Sequence, residues 1–82
     1  MNLAHRKILV PYDFSELSEY AAKHAIQIAK ITESSLVFLH IVNDLSEEAE
    51  ALHKLQEITN GFVSKYGVQA ECKIRPGKCQ LQ

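Results

Sequence analysis

The sequence predicts one small α/β domain, residues 1–82, built on a three-stranded parallel sheet. Three observations predict it. Two uninterrupted apolar runs, at 8–10 and at 36–42 ("LVFLHIV"), read as strands covered on both faces. Each is followed by a stretch whose apolar residues keep helical spacing. A last segment, 68–75, alternates apolar with polar residues at period two.

Residues 7–12 form the first strand, and Pro11 is expected to end its ladder because it has no N–H to donate. Ser15 suits the N-cap of the first helix. Glu16 and Glu19 place negative charge in the first turn, where the helix dipole favours it. The expected buried stripe is Leu17, Ala21, Ala25, Ile28 and Ala29, with Ile26 and Ile31 on its flanks. Alanines along this helix let it lie close to a sheet. "ESS" at 33–35 ends it, and 36–42 is the second strand, with His40 near its end. In "NDLSEE", Ser46 is the expected cap of a second helix over about 47–65. Its stripe is Leu52, Leu55, Ile58, Phe62 and Tyr66. Gly61 weakens that helix by roughly 1 kcal/mol relative to alanine, and Gly67 stops it. Val68, Ala70, Cys72 and Ile74 then alternate with Gln69, Glu71, Lys73 and Arg75, the pattern of an edge strand, before "RPGK" turns the chain.

The order β-α-β-α-β with short loops and right-handed crossovers gives a parallel sheet in the order 3-2-1. That order leaves the first strand with one bare edge, although its composition is that of a central strand. A long apolar edge is a liability, so more chain or another subunit is expected to cover it.

A chain of 82 residues buries only about 60–65% of its unfolded surface, so its stability margin is thin. Net charge is −1 with no basic run, which argues against a nucleic-acid partner. The apolar runs are too short to span a bilayer, and no membrane partner is expected. Two cysteines, Cys72 and Cys79, make a poor disulfide framework, and a reduced, cytoplasmic chain is the expectation.

Ligands of open parallel sheets bind beyond the carboxyl ends of the strands. Asp13 follows the first strand there, and Ile41, Val42, Asn43 and Asp44 lie there after the second. The amides of residues 15–18, at a helix start, suit a phosphate or carboxylate. An acid at 13 suits a ribose or an adenine amino group. The plain alternative is that Asp13 caps the turn into the helix.

"KILVPYDFSELSEYAAKHAIQIAK…SLVFLHIV" resembles the N-terminal half of a universal stress protein domain. The residues that carry the likeness are Val10, Pro11, Asp13, Phe14, Ser15, Ala21, Ala25, Ala29 and His40, with Gly77 after the third strand. It covers roughly residues 4–77. The resemblance implies a Rossmann-like fold of the adenine nucleotide alpha hydrolase type, in which two further strands extend the sheet beyond the first. It also implies ATP or AMP as the ligand. Asp13 and the backbone of Ile41 would meet the base, with Pro11 and Tyr12 lining the pocket. Tyr12 departs from the small polar residue frequent in the family: a phenol there stacks on the base or blocks it. The family's glycine-rich phosphate motif, Gly-x2-Gly-x9-Gly-Ser/Thr, does not occur in this sequence. The chain therefore looks like a family domain lacking its C-terminal half.

Other chemistries fit less well. A phospho-acceptor receiver needs paired acids after the first strand and an aspartate after the third, where Ile74-Arg75-Pro76 stands. "YDFSELS" has no glycine for a flavodoxin loop, and neither G-x-G-x-x-G nor G-x4-G-K-[ST] occurs. His5 lacks the partner of a nucleotidyltransferase histidine pair. His40, inside an apolar strand, reads as packed and hydrogen-bonded, while His24 and His53 read as surface. Histidines and cysteines show no metal-ligand spacing. No serine has an evident base, so no catalytic residue is assigned and no enzyme is expected, with weak ATP hydrolysis left open for an intact form. The expectation is a stress-response module that binds ATP or AMP in its intact form and associates with itself as a homodimer or higher oligomer. The alternative is an interaction module without nucleotide, which associates through an exposed strand edge.

Overall fold

The computed structural model describes residues 6–77. Its elements run β1 (Lys7–Pro11), α1 (Glu16–Thr32), β2 (Ser35–Val42), a 3-10 turn (Leu45–Glu47), α2 (Glu48–Tyr66) and β3 (Ala70–Pro76). The three strands are parallel, with β2 between β1 and β3. Register aligns Leu9 with Val37 and Val37 with Glu71. His5 and Cys79 lie outside the described residues.

Both helices pack on one face of this sheet, because both crossovers step the same way across it. One cluster joins Val10 and Tyr12, Leu36 and Phe38, Ala25 and Ile26 of α1, and Leu55 and Phe62 of α2. The other face carries Leu9, Val37, Leu39 and Ile41 beside Glu71, Lys73 and Arg75, as strand alternation requires. Expecting both faces of the apolar strands to be covered was therefore wrong for this chain: Leu9 is 60% and Ile41 50% exposed. A β-α-β-α-β unit has no helix for the second face. Val37 lies on that face yet is buried. The Lys7–Glu71 ion pair, 3.1 Å long, reaches across β2 beside it.

Pro11 does not end the pairing. It aligns with Leu39, and the next amide, of Tyr12, donates to the Leu39 carbonyl at 2.8 Å. Alternation turns the proline nitrogen to the outer edge of β1, where a missing N–H breaks no ladder bond.

Ser15 caps α1 as expected, its hydroxyl accepting from the Ser18 amide at 3.1 Å. At the other end Glu33 takes a left-handed conformation, φ 57°, and closes the helix. The buried stripe is rotated from the expected one. Ala22, Ala25, Ile26 and Ala29 point inward, while Leu17, Ala21 and Ile28 are exposed. For α2 the cap is also different. The Asp44 carboxylate accepts from Ser46 N at 3.1 Å and caps a 3-10 turn, and α2 follows from Glu47 with no side-chain cap bond. Leu55 and Phe62 are buried, Leu52, Ile58 and Tyr66 half-buried, and Ala51 and Thr59 join the buried side. Gly67, at φ 71°, ends α2.

Candidate functional site

The carboxyl ends of β1 and β2 gather Tyr12, Asp13, Phe14, His40 and Ile41. Asp13 is exposed, and its Oδ1 is the hub of the turn into α1. It accepts from the Ser15 amide at 3.0 Å and from the hydroxyls of Ser15 and Ser18. The Asp13 amide in turn donates to Ser18 Oγ at 3.0 Å. These bonds all favour the charged carboxylate. The Ser15 hydroxyl, then the Ser18 hydroxyl, then the Ser15 amide hold its pKa down at about 2. Among the described residues no hydrogen bond goes to Oδ2.

The anion place at the helix start is thus partly filled by the chain itself. Of the amides at 15–18, that of Ser15 is taken by Asp13 and that of Ser18 by the Ser15 hydroxyl. The capping role of Asp13 is present in the structure, and any ligand would share this carboxylate with the cap.

Phe14 makes the turn possible. Its φ is 68°, a left-handed conformation rare for a bulky side chain. Such a backbone costs on the order of 1–3 kcal/mol and persists where the surroundings hold it. Here the Phe14 ring meets Tyr12 edge-on at 5.4 Å, lies 4.7 Å from the His40 ring, and carries Lys54 Nζ 5.3 Å from its centroid. His40 is half-buried, and its Nδ1–H donates to the Tyr12 carbonyl at 2.8 Å, the packed and bonded role its strand position suggests.

The residues named from the resemblance are not all together. Tyr12 is buried, its ring edge-on to Phe38 at 6.1 Å, on the helix-covered side. Burial, and after it the charges of Glu19 and Asp13, push its phenol pKa up. Pro11 and Ile41 are exposed, on the open side of the sheet. Gly77 packs tightly there: a Cβ on it would stand 2.8 Å from Ile41 Cγ2. Phe14, Ser18 and Lys54 were not singled out as site residues from sequence. A serine three residues after the capping Ser15 was the available signal for Ser18. Nothing local marks Lys54.

The hollow over Phe14 and His40 is shallow, about 270 Å³, and Glu47, Glu50 and Lys54 also line it. A roomier cavity of about 730 Å³ lies at the opposite end of the sheet, among Lys7, Lys30, Glu33 and Gln69. Helix carboxyl ends face that cavity, so it lacks the amide donors that make strand carboxyl ends ligand sites. Among the described residues no cluster of histidine, cysteine and acids could hold a metal ion. No helix of the described residues is long and apolar enough to cross a membrane.

The model of the universal stress protein family matches residues 4–74. The chain belongs to the universal stress protein family. A crystal structure of a universal stress protein family member from Burkholderia pseudomallei superposes with a TM-score of 0.69 at 18% identity. The match covers 93% of this chain and 66% of that one, so this chain spans just under two thirds of the family member's length. At that identity the likeness shows the fold, a three-stranded parallel sheet with two helices. No curated protein matches the chain.

The Asp13 turn predicts a pH effect. The carboxyl pKa is about 2 when folded and about 3.9 when unfolded. A depressed folded value stabilises above the unfolded pKa and loses that effect as pH falls from about 4 towards 2. Urea melts are expected to show the midpoint falling across this window. In Asp13→Asn, which keeps an accepting oxygen but cannot titrate, the fall should be smaller. An equal fall in both proteins would show that Asp13 does not couple to folding.

Proposed function

We propose that this universal stress protein family chain is a stress-response module that receives the base and ribose of an adenine nucleotide, AMP or ATP, at the carboxyl end of β1. The observation that carries the reading is the Asp13 carboxylate: ionised, exposed, fixed by Ser15 and Ser18 through one oxygen, with the other free to accept. A ribose hydroxyl or an adenine amino group is the donor it suits. The open-face residues Pro11 and Ile41 flank the same strand ends and would take the apolar side of the base. Tyr12 is buried, and its amide and carbonyl are already bonded to Leu39 and His40, so it lies beneath the base rather than against it. The reading includes no turnover, since no base with a positioned partner stands near Asp13, and it places the chain in the cytoplasm.

The sequence carries no glycine-rich phosphate motif, so the phosphates add little. Isothermal titration is expected to give weak, millimolar-range binding, with adenosine, AMP and ATP within about threefold of one another. Asp13→Ala should abolish it. No heat and no melting shift at several millimolar ligand would refute the reading.

A second reading, an interaction module without nucleotide, has its own support. The outer edge of β1 has no strand partner among the described residues, and the open sheet face beside it exposes Leu9 and Ile41. Both call for cover.

A further inference from the structure

Helix α1 has two apolar faces. Ala22, Ala25, Ile26 and Ala29 are buried on the sheet. On the far side Leu17 is 76%, Tyr20 71%, Ile28 43% and Ile31 81% exposed. An outward face of a surface helix is ordinarily polar, and this one is not. Among the described residues no element covers it: the sheet lies beneath α1, and α2 lies on that same sheet face.

The arrangement of these four residues is symmetric. Leu17 and Tyr20 stand seven and four residues before His24, and Ile28 and Ile31 stand four and seven after it. At 100° per residue all four fall within about 40° of the direction of His24, in a stripe about 21 Å long. A stripe symmetric about its own midpoint is self-complementary under a two-fold axis. Laid antiparallel on a second copy, Leu17 meets Ile31 and Tyr20 meets Ile28, twice over, with the two His24 side chains at the axis.

The charges agree with this pairing. Glu16 and Lys30 lie on the same flank of the stripe, about 12 Å before and about 9 Å after His24 along the axis. The two-fold brings each Glu16 opposite the other copy's Lys30. Lys23, on that flank nearer the axis, is already engaged by Glu19 of its own helix at 3.9 Å.

We propose that the outer face of α1 is the surface through which two copies of this chain associate, as an antiparallel helix pair centred on His24. This surface is separate from the β1 edge and from the Asp13 turn, and the proposal rests on neither functional reading. Four large side chains per copy bury on the order of 800 Å² in total, below the roughly 1,200 Å² of a standard stable interface. The dimer is therefore expected to belong to the class of small, transient interfaces.

Sedimentation equilibrium of the 82-residue chain from about 20 µM to about 1 mM tests this. A monomer–dimer equilibrium is expected, weakened at least tenfold by Ile31→Glu. A mixture of the Ile31→Glu chain with a Leu17→Lys chain should associate at least tenfold more tightly than either alone, because residue 17 of one copy meets residue 31 of the other. Circular dichroism checks that both variants stay folded. Should either lose its fold, oxidation of His24→Cys in a Cys79→Ser background decides instead. It should give a covalent dimer at least tenfold faster than Gln56→Cys on the exposed side of α2. A monomer throughout, association that Ile31→Glu leaves unchanged, no gain on mixing, or equal oxidation rates would each overturn the proposal. Association insensitive to Ile31→Glu would point to the β1 edge.

Discussion

Phe38→Ala is expected to cost about 3–5 kcal/mol, the usual range for truncating a buried phenylalanine. Phe38 is fully buried at the middle of β2, the central strand. Its ring lies 6.1 Å from that of Tyr12 and 5.6 Å from that of Phe62. It therefore ties the end of β1 to α2 through one side chain. A domain of this size is stable by roughly 4–12 kcal/mol, so the loss takes a large share of the whole. The collapse available to the site is small, because rigid strand backbone lies on two sides of the cavity. Since 1 kcal/mol moves the melting temperature of so small a domain by about 4–8 °C, a fall of at least about 12 °C is expected. Leu9→Ala, a large-to-small change on the open face, should cost less than about 1 kcal/mol. Comparable losses in the two variants would mean that the open face is buried in solution.

What was legible in the sequence follows from which signals are local. Strand and helix existence, the Ser15 cap and the Gly67 stop were readable, because each depends on a few neighbouring residues. The packed role of His40 was readable from its place inside an apolar strand. Ser46 does not cap α2 because a 3-10 turn capped by Asp44 takes up residues 45–47, and α2 starts after it without a side-chain cap. The covering of β1 was misjudged for a different reason. The run Ile8-Leu9-Val10 reads as a strand with both faces covered, whereas the two helices of the described residues lie on one side. Composition reports the environment a strand suits, and only topology says whether the chain supplies it. At the site, Asp13 could be placed at the strand end, but its hydrogen bonds could not. They depend on the left-handed backbone of Phe14, which nothing in "YDFSE" announces. Lys54 reaches Phe14 from another element altogether.

The rotated face of α1 gives the second large effect. Ile26→Ala is expected to cost about 2–5 kcal/mol, and Ile28→Ala less than about 1 kcal/mol. Periodicity ranks them the other way, because Leu17, Ala21, Ala25 and Ile28 make a regular stripe as good as the one actually buried. A helix apolar on two sides cannot be oriented from spacing alone. The structure resolves it: Ile26 is fully buried against the sheet, and Ile28 is 43% exposed. Close packing decides which stripe goes in. Ala22, Ala25 and Ala29 let the backbone of α1 approach β1 and β2, and Ile26 fills the space they leave, whereas Leu17, Tyr20 and Ile31 on that side would hold the helix away. Urea denaturation at low protein concentration checks the order, and dilution matters here. At several hundred micromolar, where association through the outer face adds to stability by mass action, Ile28→Ala should become more costly while the cost of Ile26→Ala stays high. A reversed order at low concentration would place the regular stripe against the sheet, and with it remove the free surface on which self-association depends.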